Sequence, residues 1–265
     1  MGRIQHAPRS KAIAKVHVFF YKSKVDFKKY KWLILLELFS FLYAQISSQF
    51  QPKSIQMKDL TLEACVESFS EAQSAQRKGA QQIELCDRLD LGGITPTHHL
   101  IRRAKEQLTL NIKVMIRPRG GDFLYTAAEL DQMKADIRFC KAMHVYGVVF
   151  GVLTPKKTLD IPRIKTLADL AAPMQVTIHR AIDETIDILA AVRELSLLDN
   201  VHCILSSGQA ATARDGADTL RKMIEIAGDR LTIIPAGKVT SQNIAELHNL
   251  VDSTTYHGTR IVGLL

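Results

Sequence analysis

From Leu60 onward, eight short β-branched runs alternate with seven amphipathic stretches, and this alternation limits the fold more tightly than any single motif. The spacing predicts strands near 60–66, 82–86, 111–117, 147–153, 175–181, 201–207, 231–237 and 254–258. Helical periodicity falls between them, near 69–79, 97–107, 126–143, 160–171, 186–196, 212–228 and 241–250. Strand-helix alternation of this kind predicts parallel strands joined by right-handed crossovers, and eight of them match an α/β TIM (β/α)8-like barrel better than an open sheet. No G-x-G-x-x-G follows the first strand, so a dinucleotide-binding fold loses its best signal. Only seven residues follow Gly258, so the barrel is expected to lack a full final helix. The first and last strands would then need cover from the N-terminal extension or from a second subunit.

The net charge of +8 suggests nucleic acid or membrane until it is located along the chain. Residues 1–58 hold 11 Lys and Arg against 2 Asp and Glu, whereas residues 59–265 hold 24 against 25. The globular part is close to neutral, and nothing in it resembles a recognition helix, an RNP motif or a zinc finger, so no nucleic-acid partner is expected. Residues 1–56 are basic and then apolar through Trp32 to Tyr43, a run shorter than the ~20 residues that span a bilayer and interrupted by Glu37. No firm membrane anchor is expected there, and the pattern does not fit a signal peptide. A basic surface anchor, a partner-binding helix or an extension upstream of the functional start all fit; we favour the last, with a barrel domain over 57–265, because Met57 opens the first strand cleanly. Cys65, Cys86, Cys140 and Cys203 are widely spaced and form no C-x-x-C pair, which favours free thiols and a reducing cytoplasm.

Barrels of this class place their chemistry at the carboxyl ends of the strands. Strand one carries Glu63 and Cys65 two apart, and strand two carries Glu84 and Cys86 in the same relation, so each pair shares one face. If both faces point inward, two thiols and two carboxylates converge from strands only ~4.8 Å apart. Such a set is a soft-metal candidate, and two cysteines without a nearby histidine pair suit low-coordinate Cu(I) better than tetrahedral zinc. Buried free cysteine also packs as a small hydrophobe. The buried carboxylates call for cations, and Arg117, Arg119 or Arg180 are the expected partners.

Directly after the run Ile112 to Ile116 comes R-P-R-G-G-D-F-L-Y, which delivers Arg117, Arg119, Asp122 and Tyr125 to one rim. Strand five ends T-I-H-R-A-I-D, where Asp183 could orient His179 for acid–base work. Strand six ends in Ser206, Ser207 and Gly208, whose N–H groups could hold an anion. Lys238 and His257 lie after strands seven and eight, where such barrels often bind phosphate.

In order, E-A-C-V-E-S, G-A-Q-Q-I-E-L-C, G-G-I-T-P, M-I-R-P-R-G-G-D-F-L-Y, V-T-I-H-R-A-I-D, S-S-G-Q and H-G-T closely resemble the CutC family of copper homeostasis proteins, from about Leu62 to Arg260. The resemblance implies a TIM-like barrel, a cytoplasmic location, self-association into a homo-oligomer, a link to copper, and Cu(I) ligation by Cys65 and Cys86. Ala236-Gly237-Lys238 departs from the family's glycine-rich loop after strand seven by adding a cation.

Two functions follow as expectations. One is a cytoplasmic Cu(I)-binding protein in which Cys65 and Cys86 are ligands and Glu63 and Glu84 supply negative charge. The alternative is an enzyme for a small anionic substrate, a phosphate or carboxylate, with Arg117, Arg119, Arg180, Ser206, Ser207, Lys238 and His257 available to bind it. In that reading His179 acts as acid or base, and Asp122 or Asp183 orients it.

Overall fold

The computed structural model describes residues 60–265. The expectations about residues 1–56, and about a domain start at Met57, lie outside the described residues. Eight parallel strands, β1 Thr61–Val66, β2 Gln82–Leu85, β3 Asn111–Met115, β4 Gly147–Phe150, β5 Gln175–Ile178, β6 Cys203–Ser206, β7 Thr232–Pro235 and β8 Thr255–Gly258, form a nearly closed barrel. Between them run α1 Phe69–Arg77, α2 His98–Gln107, α3 Ala127–Ala142, α4 Ile161–Ala171, α5 Ile188–Leu195, α6 Ala217–Ala227 and α7 Ile244–Val251.

The hydrogen-bonded order is β7-β6-β5-β4-β3-β2-β1-β8, so β1 joins the last strand to the second. The seam between β7 and β8 is held differently. Ser253 Oγ donates to the Ile233 carbonyl at 2.6 Å, and just beyond the strand ends Thr240 bridges to Arg260. No helix follows β8 among the described residues.

Period-two alternation sorts the strand residues into two cores. Ala64, Val66, Ile83, Val114, Val148 and Ile178 face outward into one large apolar layer beneath the helices. Cys65, Cys86, Met115 and Val149 pack together in a separate cluster, and Leu205, Ile234 and Ala236 form another. Side chains fill the barrel interior, as the fold requires.

Helix starts are fixed by local chemistry. Ser68 and Glu71 cap α1 reciprocally, and Thr126 and Glu129 do the same for α3, each cap contributing about 1 kcal/mol. Six of the eight strands stop short of the ranges read from sequence. β3 ends at Met115 and β5 at Ile178, and a 3-10 turn over Arg180–Glu184 occupies what sequence alone reads partly as strand. His179 caps that turn through its own side chain. A second 3-10 turn, Leu89–Leu91, follows β2 and has no counterpart in the sequence reading.

Candidate metal centre in the barrel mouth

Cys65 lies opposite Glu84 in the β1–β2 ladder, and Cys86 follows Glu84 by two residues on the same face. The ladder continues one step beyond β2, since the Cys86 N–H donates to the Val66 carbonyl at 2.9 Å. The two sulfurs and a Glu84 carboxylate oxygen consequently all lie within 4.8 Å of one another, and all three residues are buried. Leu89, on the 3-10 turn, packs over the cysteines.

Below this cluster the barrel holds a polar chain. Glu63 accepts from Gln82 Nε2 at 2.7 Å and pairs with Lys113 Nζ at 2.9 Å. His257, opposite Glu63 in the β1–β8 ladder, places Nδ1 2.8 Å from Glu63 and Nε2 3.4 Å from Glu84. Both nitrogens of the imidazole thus face carboxylates. The other Glu84 oxygen, Oε1, is buried without any hydrogen-bond partner among the described residues.

The charges follow from these neighbours. Burial opposes ionisation of Glu63, but Lys113 and His257 prevail and bring its pKa down to about 2. Burial pushes Glu84 up to about 8, and the negative charges of Cys65 and Glu63 add to this against the pull of His257. The Cys86 thiol, hydrogen-bonded to Cys65, brings Cys65 down to about 5, with His257 helping against burial. Cys86 is itself pushed well above the usual thiol range by the same hydrogen bond and by burial. Burial disfavours the His257 cation, yet Glu84, Cys65 and Glu63 together hold it well above the usual imidazole range. Cys65 is therefore the more acidic thiol of the pair.

Lys113 is the residue that sequence reasoning missed. It sits inside the apolar run Ile112 to Ile116, and its signal was a single cation at the inward phase of that run. Gly147 makes room for it, because a Cβ there would lie 3.2 Å from Lys113 Cγ and 2.7 Å from the Gln175 carbonyl oxygen. The expected pairing of Glu63 and Glu84 with Arg117, Arg119 or Arg180 is corrected. Those arginines lie beyond the strand ends, where loop groups engage them, while Lys113 lies within β3 directly opposite Glu84.

Arg117 donates through Nη1 to the Leu91 and Gly93 carbonyls at 3.1 Å each, and through Nη2 to the Gly121 carbonyl at 2.7 Å. Arg119 binds Glu129 at 2.6 Å and Asp122 at 2.9 Å, tying the R-P-R-G-G-D loop to the cap of α3. Asp183 is engaged away from His179. It accepts from Ser206 Oγ at 2.5 Å and from the Ser207 N–H and Oγ at 3.0 Å each, and it pairs with Arg180. The anion predicted at the Ser206-Ser207 loop is thereby supplied from within the chain, as the Asp183 carboxylate. Lys238 is exposed and lines a cavity of about 220 Å³ with Thr212, Arg214, Asn243 and Glu246, while His257 points into the barrel and belongs to the thiol–carboxylate cluster.

A (β/α)8 barrel with two buried thiol groups and a carboxyl group at its mouth defines a class of barrel suited to holding a soft ion. The CutC family model matches residues 60–262, and this chain belongs to the CutC family. A CutC family protein of Chromobacterium violaceum is 42% identical over 205 residues, covering 76% of this chain and 81% of the relative. The human copper homeostasis protein cutC homolog is 38% identical over 196 residues, covering 74% and 71%. A crystal structure of the copper homeostasis protein CutC from Streptococcus agalactiae superposes with a TM-score of 0.73 at 28% identity, covering 76% of this chain and 99% of that one. Deoxyribose phosphate aldolase from Aeropyrum pernix, with a TM-score of 0.57 at 12% identity over 77% and 87%, shares the fold alone. No described helix is long and apolar enough to cross a membrane.

Proposed function

We propose that this chain serves copper homeostasis by taking Cu(I) as cargo between Cys65 and Cys86. One observation carries the reading: two buried sulfurs and the Glu84 carboxyl group converge within 4.8 Å, and Glu84 Oε1 lacks any hydrogen-bond partner among the described residues. Thiolate sulfur is a soft donor that selects Cu(I) and zinc among biological cations. The donor set favours Cu(I), because the one imidazole nearby, His257, faces a carboxylate with each nitrogen and offers no lone pair toward a tetrahedral zinc site. Cys65 is the more acidic thiol, so binding displaces a proton chiefly from Cys86, and also from Glu84, pushed up to about 8, where its carboxyl joins the ligands. Lys113 and His257 hold positive charge beneath the cluster and offset the Glu63 carboxylate. Met115 and Leu89 pack against the sulfurs and limit water access. The reading extends to a reducing cytoplasmic setting, where four free thiols persist, and to self-association.

Anaerobic Cu(I) titration against a competing chelator tests it. Cys65→Ser and Cys86→Ser are each expected to abolish tight binding while leaving the fold intact. Unchanged affinity in both variants discards the reading.

A further inference from the structure

Arg117 is a buried cation, 5% exposed, with no carboxylate in ion-pair contact among the described residues; its terminal nitrogens meet only backbone carbonyls. A guanidinium held this way keeps its charge, and burying an uncompensated charge is costly. Its Nε–H is in addition buried without an acceptor among the described residues. Two neighbours share the deficiency. Among the described residues the Tyr125 hydroxyl, in a residue 4% exposed, has no hydrogen-bond partner, and neither has His179 Nε2, also 4% exposed.

Arg117 and His179 flank one ring, and Tyr125 lies on the same loop as that ring. The Arg117 guanidinium carbon lies 4.7 Å from the Phe123 ring centroid, the His179 ring centroid lies 4.8 Å from the same ring, and Tyr125 follows two residues later on that loop. His179 is fixed in one tautomer, because Nδ1 accepts the Ala181 N–H at 3.2 Å and the ring proton must sit on Nε2. Burial and the Arg117 charge keep this imidazole neutral, with a pKa down to about 3. A guanidinium N–H and an imidazole N–H beside Phe123, with the phenol of the same loop, are therefore left as donors without an acceptor among the described residues. Buried donors are rarely left so.

We propose that Arg117, Tyr125 and His179 form a second binding site, distinct from the thiol cluster, for the carboxylate of a small organic acid. The Arg117 Nε–H, the Tyr125 hydroxyl and the His179 Nε2–H donate to its two oxygens. Charge selects the class. One cation is uncompensated, since Glu129 and Asp122 already neutralise Arg119, so a monoanion balances the site and a phosphate dianion overfills it. The site gives His179 the role of a hydrogen-bond donor to substrate oxygen, replacing the acid–base role expected with Asp183. It goes beyond the copper reading and stands without it.

Calorimetric titration of the full chain with acetate, pyruvate and inorganic phosphate, each in a buffer free of other small anions, tests the assignment. Acetate or pyruvate is expected to bind, and Tyr125→Phe, which keeps the ring and removes only the hydroxyl, should weaken that binding about ten-fold. Should Tyr125→Phe fail to fold, His179→Asn provides the same readout. Cys65→Ser should leave carboxylate binding unchanged, which separates failure here from failure of the copper reading. No carboxylate binding, as when a buried water alone fills the site, overturns the proposal. So does binding of phosphate alone, or unaltered affinity in a folded donor variant.

Discussion

Lys113 Nζ lies 2.9 Å from Glu63 Oε2 inside the barrel, with the two side chains only 2% and 1% exposed. Removing one member of such a pair leaves the other charge uncompensated, which costs about 3–5 kcal/mol. Lys113→Met is therefore expected to destabilise the domain by about 3 kcal/mol, and Lys113→Met with Glu63→Gln by less than the two single changes summed. Urea unfolding of the three variants gives the comparison. A loss below about 1 kcal/mol for Lys113→Met would show that Gln82 and His257 alone satisfy Glu63.

The neutral His179 imposes a pH dependence whose sign is fixed. Its pKa is about 3 in the folded barrel against 6.5 ordinarily, so between these values the unfolded chain binds the extra proton. The stability it confers is complete above pH 6.5 and is lost as pH falls toward 3. From neutral pH down to pH 5 this amounts to about 2 kcal/mol, before most carboxylates protonate. His179→Gln should flatten that limb of the denaturation profile. Parallel profiles for the two proteins over that interval would contradict the assignment of a neutral imidazole.

Gly93 joins the thiol cluster to the arginine loop. Its φ of +83° is left-handed, its carbonyl accepts from Arg117 Nη1, and a Cβ on it would lie 3.3 Å from Cys86 Sγ. Gly93→Ala is expected to cost about 1–2 kcal/mol through backbone strain and to weaken Cu(I) binding by displacing Cys86. Wild-type copper affinity in a folded Gly93→Ala protein would show that this loop does not position the sulfur.

All eight strands fall inside the ranges read from sequence, because parallel strands covered on one side by helices carry β-branched runs whose spacing is set by the crossover lengths. The two-residue phase that links Glu63 with Cys65 and Glu84 with Cys86 was legible for the same reason. Asp183 was legible as a polar residue at a strand end, yet its partners were not. The turn over Arg180–Glu184 swings its carboxylate onto Ser206 and Ser207, 23 and 24 positions away. Tyr125 and Arg117 were visible in the R-P-R-G-G-D-F-L-Y motif, but the absence of a carboxylate beside Arg117 exists only once the loops are folded.

Local alternation and side-chain phase, properties of neighbours along the chain, were enough to determine the barrel and to bring both thiols to one mouth. Tertiary structure alone decided which cation answers Glu63, that His257 bridges two carboxylates, and that His179 is neutral with its Nε2 proton free. Those outcomes depend on strand register and on distances between residues as much as 194 positions apart, which no local pattern encodes.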